Sequence, residues 1–180
     1  EDYMLYLLTG RFVSEWSLLS STEYWDIRTK KYWPEMLEFL GVDEKWLPKI
    51  IEPGQLVGRI LPEMAEELGL SPDVKISSGC RDQVAAAVGV GNIYPGIFSE
   101  NIGASLAICA PTEHLTYDPK RQMPVHYFAM PNTYMMHTFT TGGMCFRWFR
   151  DNFCQNEIGI QTATGMDSYY LMDLEAAQVP

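Results

Sequence analysis

The sequence predicts a soluble α/β protein, and three observations carry that expectation. Val74-Lys75-Ile76-Ser77-Ser78 is a short β-prone run that ends in the turn Gly79-Cys80-Arg81 and opens an alanine-rich helix at Asp82. A strand-to-helix turn of this kind is where open α/β sheets keep their ligands. Two further helices are punctuated at both ends, from Pro34 to Gly41 and from Pro62 to Gly69. Proline is tolerated in a first turn that needs no N–H partner, and glycine leaves a helix without a Cβ penalty. Beyond the turn cluster Asn92-Ile93-Tyr94-Pro95-Gly96 the pattern becomes β-rich.

Along the chain, Asp2 to Leu8 is apolar at a helical period and stops at Thr9-Gly10, and Phe12 to Ser14 reads as extended. Ser17 to Thr22 leads into a helix or turn. Trp25-Asp26-Ile27-Arg28 and Lys30-Lys31-Tyr32-Trp33 form a basic-aromatic patch, read as a loop whose aromatics dock on the domain. Met36, Leu37, Phe39 and Leu40 give the Pro34 helix its apolar face. Glu44 to Leu47 reads as one more helical turn, closed by Pro48, and Leu56 to Ile60 as a short strand after Pro53-Gly54. The β-rich part contains expected strands at Ile97 to Asn101 and Ser105 to Ala110, then a pair at Val125 to Met130 and Tyr134 to Thr140. Gly142-Gly143 opens a helix with Met144, Phe146, Trp148, Phe149 and Phe153; a polar stretch runs to Gly165, and Ser168 to Gln178 is a final helix. The change of character at residues 89–96 is the expected domain boundary.

Composition excludes several classes. A chain of 180 residues with 47% hydrophobic and 20% charged residues can bury a core and is not disordered. The net charge of −10 repels nucleic acid and anionic membrane. No run approaches the length of a membrane span, and no signal peptide is visible. Cys80, Cys109, Cys145 and Cys154 are widely spaced without a CxxC pair, which argues against zinc and a disulfide framework and for a reduced, cytoplasmic setting. The chain opens at Glu1 inside a helical pattern and closes on Val179-Pro180, so it reads as part of something longer.

Asp82 is the leading candidate for chemistry. A carboxylate at a helix N-terminus is stabilised by the dipole and free N–H groups, which suits either a helix N-cap or a general base, and both can hold at once. Ser78-Gly79-Cys80-Arg81-Asp82 also has the layout of a nucleophile elbow, with Cys80 as nucleophile and His126 or His137 as base. That elbow lacks its second glycine, and histidines inside strand patterns are by default structural.

The Asp82 stretch resembles the catalytic-base motif of the FGGY carbohydrate kinases, a small-residue run followed by Gly-Asp-Gln or Gly-Asp-Asn and an Ala-rich helix. Four other stretches resemble that family in the same order. Asp2-Tyr3-Met4-Leu5 through Leu8-Thr9-Gly10-Arg11-Phe12 is similar to its D-Y-L-x-x-x-L-T-G-x-F segment, and Leu47-Pro48 through Gly54 to Gly58 to its L-P-x-x-x-x-x-G-x-x-x-G stretch. Ile102-Gly103-Ala104-Ser105 resembles its L-G-T-S turn, and Thr141-Gly142-Gly143-Met144 before Trp148 and Arg150-Asp151 its S-G-G-x-x-x-x-W-x-R-D helix start.

The resemblance implies an actin/hexokinase-like (RNase H-like) fold. Residues 1–91 would be the end of the sugar-binding domain, with a hinge near Gly89-Gly91, and residues 92–180 the start of the phosphate-binding domain. It implies ATP-dependent phosphorylation of a sugar or polyol, a xylulose-like pentulose favoured, with Asp82 as general base and Gln83 and Arg81 on the substrate. Gly103, Ala104, Ser105, Gly142 and Gly143 would hold phosphate. ATP and Mg2+ are the implied cofactors, with no metal ligand assigned in this chain, and by itself the chain is expected to be inactive. Small molecules are the implied partners, and a homodimer of the parent is left open. Three departures stand out: Cys80 and Arg81 replace small residues, and Ala104 stands where the family has Thr, removing a hydroxyl donor worth about 1–3 kcal/mol to a charged acceptor. A non-catalytic sugar-binding protein is the alternative those departures support.

Overall fold

Glycine and proline fix the helix ends of the first half. In the computed structural model, which describes residues 1–179, helix α1 (Asp2–Thr9) ends at Gly10 with φ 68°, its N–H donating to the Tyr6 carbonyl at 2.7 Å. Helices α3 (Pro34–Leu40) and α4 (Pro62–Leu68) begin on their prolines and end at Gly41 and Gly69 with φ 66° at each. Between α1 and α3 lie strand β1 (Val13–Glu15), the short helix α2 (Trp16–Leu19) and strands β2 (Trp25–Asp26) and β3 (Lys31–Tyr32). Strands β4 (Lys49–Ile51) and β5 (Leu56–Arg59) precede α4; strand β6 (Lys75–Ser77) and helix α5 (Asp82–Gly89) follow it. Strands β7 (Ser99–Ile102), β8 (Ser105–Thr112), β9 (Val125–Tyr127) and β10 (Tyr134–Thr141) come next, then helices α6 (Gly143–Phe153), α7 (Gln155–Thr164) and α8 (Ser168–Ala176).

The described residues group into two units, one formed by Glu1–Ser99 with Ile108–Thr138 and the other by Glu100–Ala107 with the chain from Phe139 onward. Sheet pairing is mixed. β1 and β4 are parallel, with Val13 opposite Lys49 and Glu15 opposite Ile51, whereas β5 and β6 are antiparallel with a register shift between Leu56 and Gly58. Strands β7, β8, β10 and β9 follow in that order in a four-stranded sheet.

In the first unit, three apolar clusters divide the work. Leu5, Val13, Ile51 and Val57 pack α1 against the β1–β4 pair. Leu19, Trp25, Tyr32, Leu37 and Tyr127 form a second cluster, and Lys30 lies 4.6 Å from the Trp16 ring centroid above it. The third, Val84, Ala87, Cys109, Phe128 and Met135, supports the inward face of α5. Its two helix residues are three apart, the spacing that puts them on one face. In the second unit α6 carries its large apolar side chains outward: Met144, Phe146, Trp148, Phe149 and Phe153 are all exposed. Phe146 meets Tyr169 of α8 at 5.3 Å between centroids.

Four elements differ from the sequence reading. The basic-aromatic patch is a β2–β3 hairpin, not a loop; its Trp25 and Tyr32 are in the core as expected, and the Tyr32 hydroxyl donates to the Pro48 carbonyl at 2.6 Å. Glu44–Trp46 is a 3-10 turn, with Asp43 accepting from the Lys45 N–H at 3.0 Å. The chain after Pro48 is strand β4, and the polar stretch before Gly165 is helix α7, neither of which had been expected. Among the described residues no helix is long and apolar enough to cross a membrane.

Phe128 is fully enclosed beneath α5, whereas Phe39 is 84% exposed. Phe128→Ala should therefore remove about 3–5 kcal/mol of unfolding free energy. Phe39→Ala should stay within about 0.5 kcal/mol of wild type in the same urea titration.

Candidate active site

The turn between β6 and α5 is tied down residue by residue. The Ser78 N–H donates to the Gln55 carbonyl at 2.8 Å, and its buried hydroxyl donates to the Glu52 carbonyl at 2.9 Å while accepting the Gln55 N–H at 3.1 Å. The Gly79 N–H donates to a Glu1 carboxylate oxygen at 3.1 Å, and the Arg81 N–H to the Ser17 hydroxyl oxygen at 2.9 Å. Arg81, not Asp82, is the N-cap residue, at φ −50° and ψ 144°, and its side chain makes no capping bond. Asp82 is the first residue of the helix, and its carboxylate is exposed, accepting the Gln83 N–H at 2.7 Å. Gln83 is half-buried, and its side-chain Oε1 is enclosed without a hydrogen-bond partner in the chain. A buried carbonyl oxygen left without a donor is an unmet demand for one.

Behind this turn lies a buried polar cluster. Glu15 is fully buried and accepts three hydrogen bonds, from the Ser17 N–H and hydroxyl at 2.6 and 2.8 Å and from the Leu18 N–H at 2.6 Å. It thereby caps α2, and it orients the same Ser17 hydroxyl that receives Arg81. Burial pushes the Glu15 carboxyl up to about 7, against those three donors. The Arg81 guanidinium, expected on the substrate side, turns inward: one terminal nitrogen lies 3.0 and 2.9 Å from the two ring nitrogens of buried His126. The His126 ring meets that of buried His137 edge-on at 5.5 Å. Burial, then the Arg81 charge and His137, pull His126 down to about 4. His137 is lowered by burial and by Arg81, while the Asp82 charge pulls it the other way.

The cysteine elbow finds no support in this environment. Burial and the Glu15 and Glu1 carboxylates raise the Cys80 thiol, the opposite of what a thiolate nucleophile needs. Of its two candidate bases, His126 is engaged by Arg81 and His137 lies buried behind it, its ring edge-on to that of His126.

In the second unit the structure brings together the two glycine stretches expected to hold phosphate. The Gly142 N–H donates to the Ala104 carbonyl at 3.2 Å, the Gly143 N–H to the Gly103 carbonyl at 2.8 Å and the Met144 N–H to the Ala104 carbonyl at 3.2 Å. Gly103 in turn donates to the Ser105 carbonyl at 2.8 Å. These four N–H groups are therefore engaged within the loop, and the glycines serve close approach. A Cβ on Gly142 would stand 2.7 Å from the Leu106 nitrogen, and one on Gly143 would stand 2.6 Å from the Gly103 oxygen.

Sequence reasoning missed the Glu15–Ser17–Arg81 chain and the Arg81–His126 contact. The first had a local signal, a carboxylate two residues ahead of a serine at a helix start. The second joins residues far apart in sequence and had none.

Comparison with known proteins agrees with this architecture. The fold is that of a xylulose kinase from Rhodospirillum rubrum, with TM-score 0.85 over 99% of this chain and 35% of that one at 20% identity. The two units thus carry part of an actin/hexokinase-like sugar-kinase fold. Residues 1–89 match the N-terminal domain of the FGGY family of carbohydrate kinases. The chain is 27% identical over 99% of its length to an autoinducer-2 kinase from Yersinia enterocolitica, of which it spans 34%. It is 33% identical over 62% of its length to a xylulose kinase from Haemophilus influenzae, of which it spans 23%. Residues 1–89 belong to the FGGY family of carbohydrate kinases, as its N-terminal domain.

Two outcomes are expected. Below its unfolded value of 6.5 and above about 4, His126 takes up a proton only in the unfolded chain, so its contribution to stability falls as pH falls through that window. Glu15 has the opposite sign: its contribution is present below 4.5 and lost as pH rises through about 7. Chemical denaturation at several pH values should therefore show His126→Gln gaining on wild type as pH drops from 6.5, by at most about 1.4 kcal/mol per pH unit. Gly142→Ala should lower stability by about 1–3 kcal/mol, because backbone atoms face the added methyl and cannot rotate away.

Proposed function

We propose that the protein transfers the γ-phosphoryl group of ATP to a hydroxyl of a small sugar or polyol, with Asp82 as general base. The observation that carries this reading is the exposed Asp82 carboxylate at the first turn of α5, on a turn held by bonds from Ser78, Gly79 and Arg81. A free carboxylate on a rigid mount is what deprotonation of a bound hydroxyl requires. The acceptor hydroxyl gives its proton to Asp82, and its oxygen bonds to the γ-phosphorus. The bond from that phosphorus to the bridging oxygen breaks, and ADP leaves with the electron pair.

Gln83, beside Asp82 in the first turn of α5, is assigned to a neighbouring acceptor hydroxyl. With four loop N–H groups already engaged, phosphate contact falls to the Ala104–Ser105 segment, and Gly103, Gly142 and Gly143 keep the backbones close. Magnesium enters with the nucleotide as substrate. Among the described residues no group of three or more His, Cys, Asp or Glu could hold a metal.

In this reading residues 1–91 belong to the acceptor side and 92–180 to the phosphate side of a cytoplasmic enzyme. A xylulose-like pentulose is the leading acceptor, supported by the stretch shared with a xylulose kinase. The match to an autoinducer-2 kinase, over 99% of this chain and 34% of that protein, makes that compound the first competitor.

The test is ADP release by the complete protein against a panel of pentuloses, polyols, gluconate and autoinducer-2. One acceptor should stand out, and Asp82→Asn should lower kcat by about 10^2–10^4. Equal ADP release by wild type and Asp82→Asn would sink the assignment.

A further inference from the structure

Arg81 is the residue that the proposed mechanism leaves without a task, and it is held at two points. Its N–H reaches the Ser17 hydroxyl, which Glu15 orients from the fully buried N-cap of α2. Its guanidinium reaches the ring of His126 on β9, itself only 6% exposed. Between these anchors Arg81 is the residue immediately before α5, so the peptide it pins leads directly into Asp82 at the first turn. An arginine held at both its N–H and its guanidinium therefore fixes the backbone from which the exposed carboxylate of Asp82 projects.

We propose that Arg81 is a positioning residue for Asp82, its guanidinium seated on His126 and its N–H on Ser17 so that the neighbouring carboxylate faces the acceptor hydroxyl. The proposal rests on the reading of Asp82 as general base. It assigns Arg81 to the turn, where the family resemblance placed it on substrate. The seat requires a neutral imidazole, because a guanidinium donates to a ring nitrogen that carries a lone pair and is repelled by an imidazolium. The charges around that ring come from each element packed on it. Arg81 acts from the turn and His137 from β10; the Asp82 charge at the start of α5 reaches His137, and the Arg81 charge also reaches Cys109 on β8. Protonating His126 thus sets two positive charges against each other behind the catalytic turn.

Two measurements on the complete protein test this together. The first follows the His126 imidazole by NMR through acid titration in wild type and Arg81→Met. Removing the neighbouring positive charge should move the His126 midpoint upward, and an unmoved midpoint overturns the contact. The second is steady-state kinetics against pH. Arg81→Met should lower kcat about tenfold at neutral pH with the KM for the acceptor within twofold, and Arg81→Lys should recover part of the loss. His126→Gln, whose amide still accepts from Arg81 but does not titrate, should remove the acid limb of kcat. A wild-type kcat in Arg81→Met, or a raised acceptor KM with kcat unchanged, overturns the positioning role. The second pattern would return Arg81 to the substrate. If Arg81→Met does not fold, Arg81→Lys and His126→Gln carry the same comparison. Full activity in Asp82→Asn would defeat the reading of Asp82 as general base while the titration still judges the Arg81–His126 contact. An inactive Asp82→Asn beside a fully active Arg81→Met defeats the positioning role alone.

Discussion

One hydroxyl joins the two halves of the candidate site. Ser17 Oγ donates to the buried Glu15 carboxylate and accepts the N–H of Arg81, so the start of α2 and the start of α5 share an atom. Without Ser17, Glu15 would keep only backbone donors, and the Arg81 N–H would lose its acceptor in a region that water does not readily reach. A buried carboxylate is tolerable only when its lone pairs are satisfied. Here that need forces the geometry of the neighbouring turn. The hydrophobic clusters give the unit its stability; this polar chain gives the turn its single orientation.

The site residues themselves behave in two different ways. Around Asp82 the side chains carry the argument, since Ser78, Arg81, Glu15 and His126 each supply a bond that a smaller residue could not. In the Gly103–Ser105 and Gly142–Gly143 loop the absence of side chains carries it. Backbone meets backbone there at distances that leave no room for a Cβ. Ala104, where the family resemblance implies threonine, lies in a loop whose donors are already engaged by its own carbonyls. Its cohesion does not depend on a hydroxyl at that point.

Much of the fold was legible because its boundaries are written in single residues. Pro34, Gly41, Pro62 and Gly69 mark helix ends by their own conformational limits, and Asp82 stood at the start of α5 as expected. What escaped had weaker local signals. Strand β4 consists of Lys49, Ile50 and Ile51 and owes its pairing to β1, a partner remote in sequence. Helix α7 carries Gly159 and buries no side chain, so no apolar period announces it. The same division holds at the site. The exposed carboxylate, Gln83 and the glycine pairs could be picked out from motifs, whereas the inward turn of Arg81 onto His126 depends on β9 arriving behind α5.

The parallel pairing of β1 with β4 has a consequence for how the chain changes over time. Everything from Trp16 to Pro48 is an excursion between two strands that lie side by side, and it encloses most of its own cluster in Leu19, Trp25, Tyr32 and Leu37. Such an excursion can be lengthened or reworked at modest entropic expense while the strands that bracket it keep their register. Evolution can thus rebuild the surface beside the β6–α5 turn without disturbing its mount. Near its start the excursion is anchored, Ser17 and Leu18 by Glu15 and Ser20 by the Tyr127 N–H, and there divergence must stop.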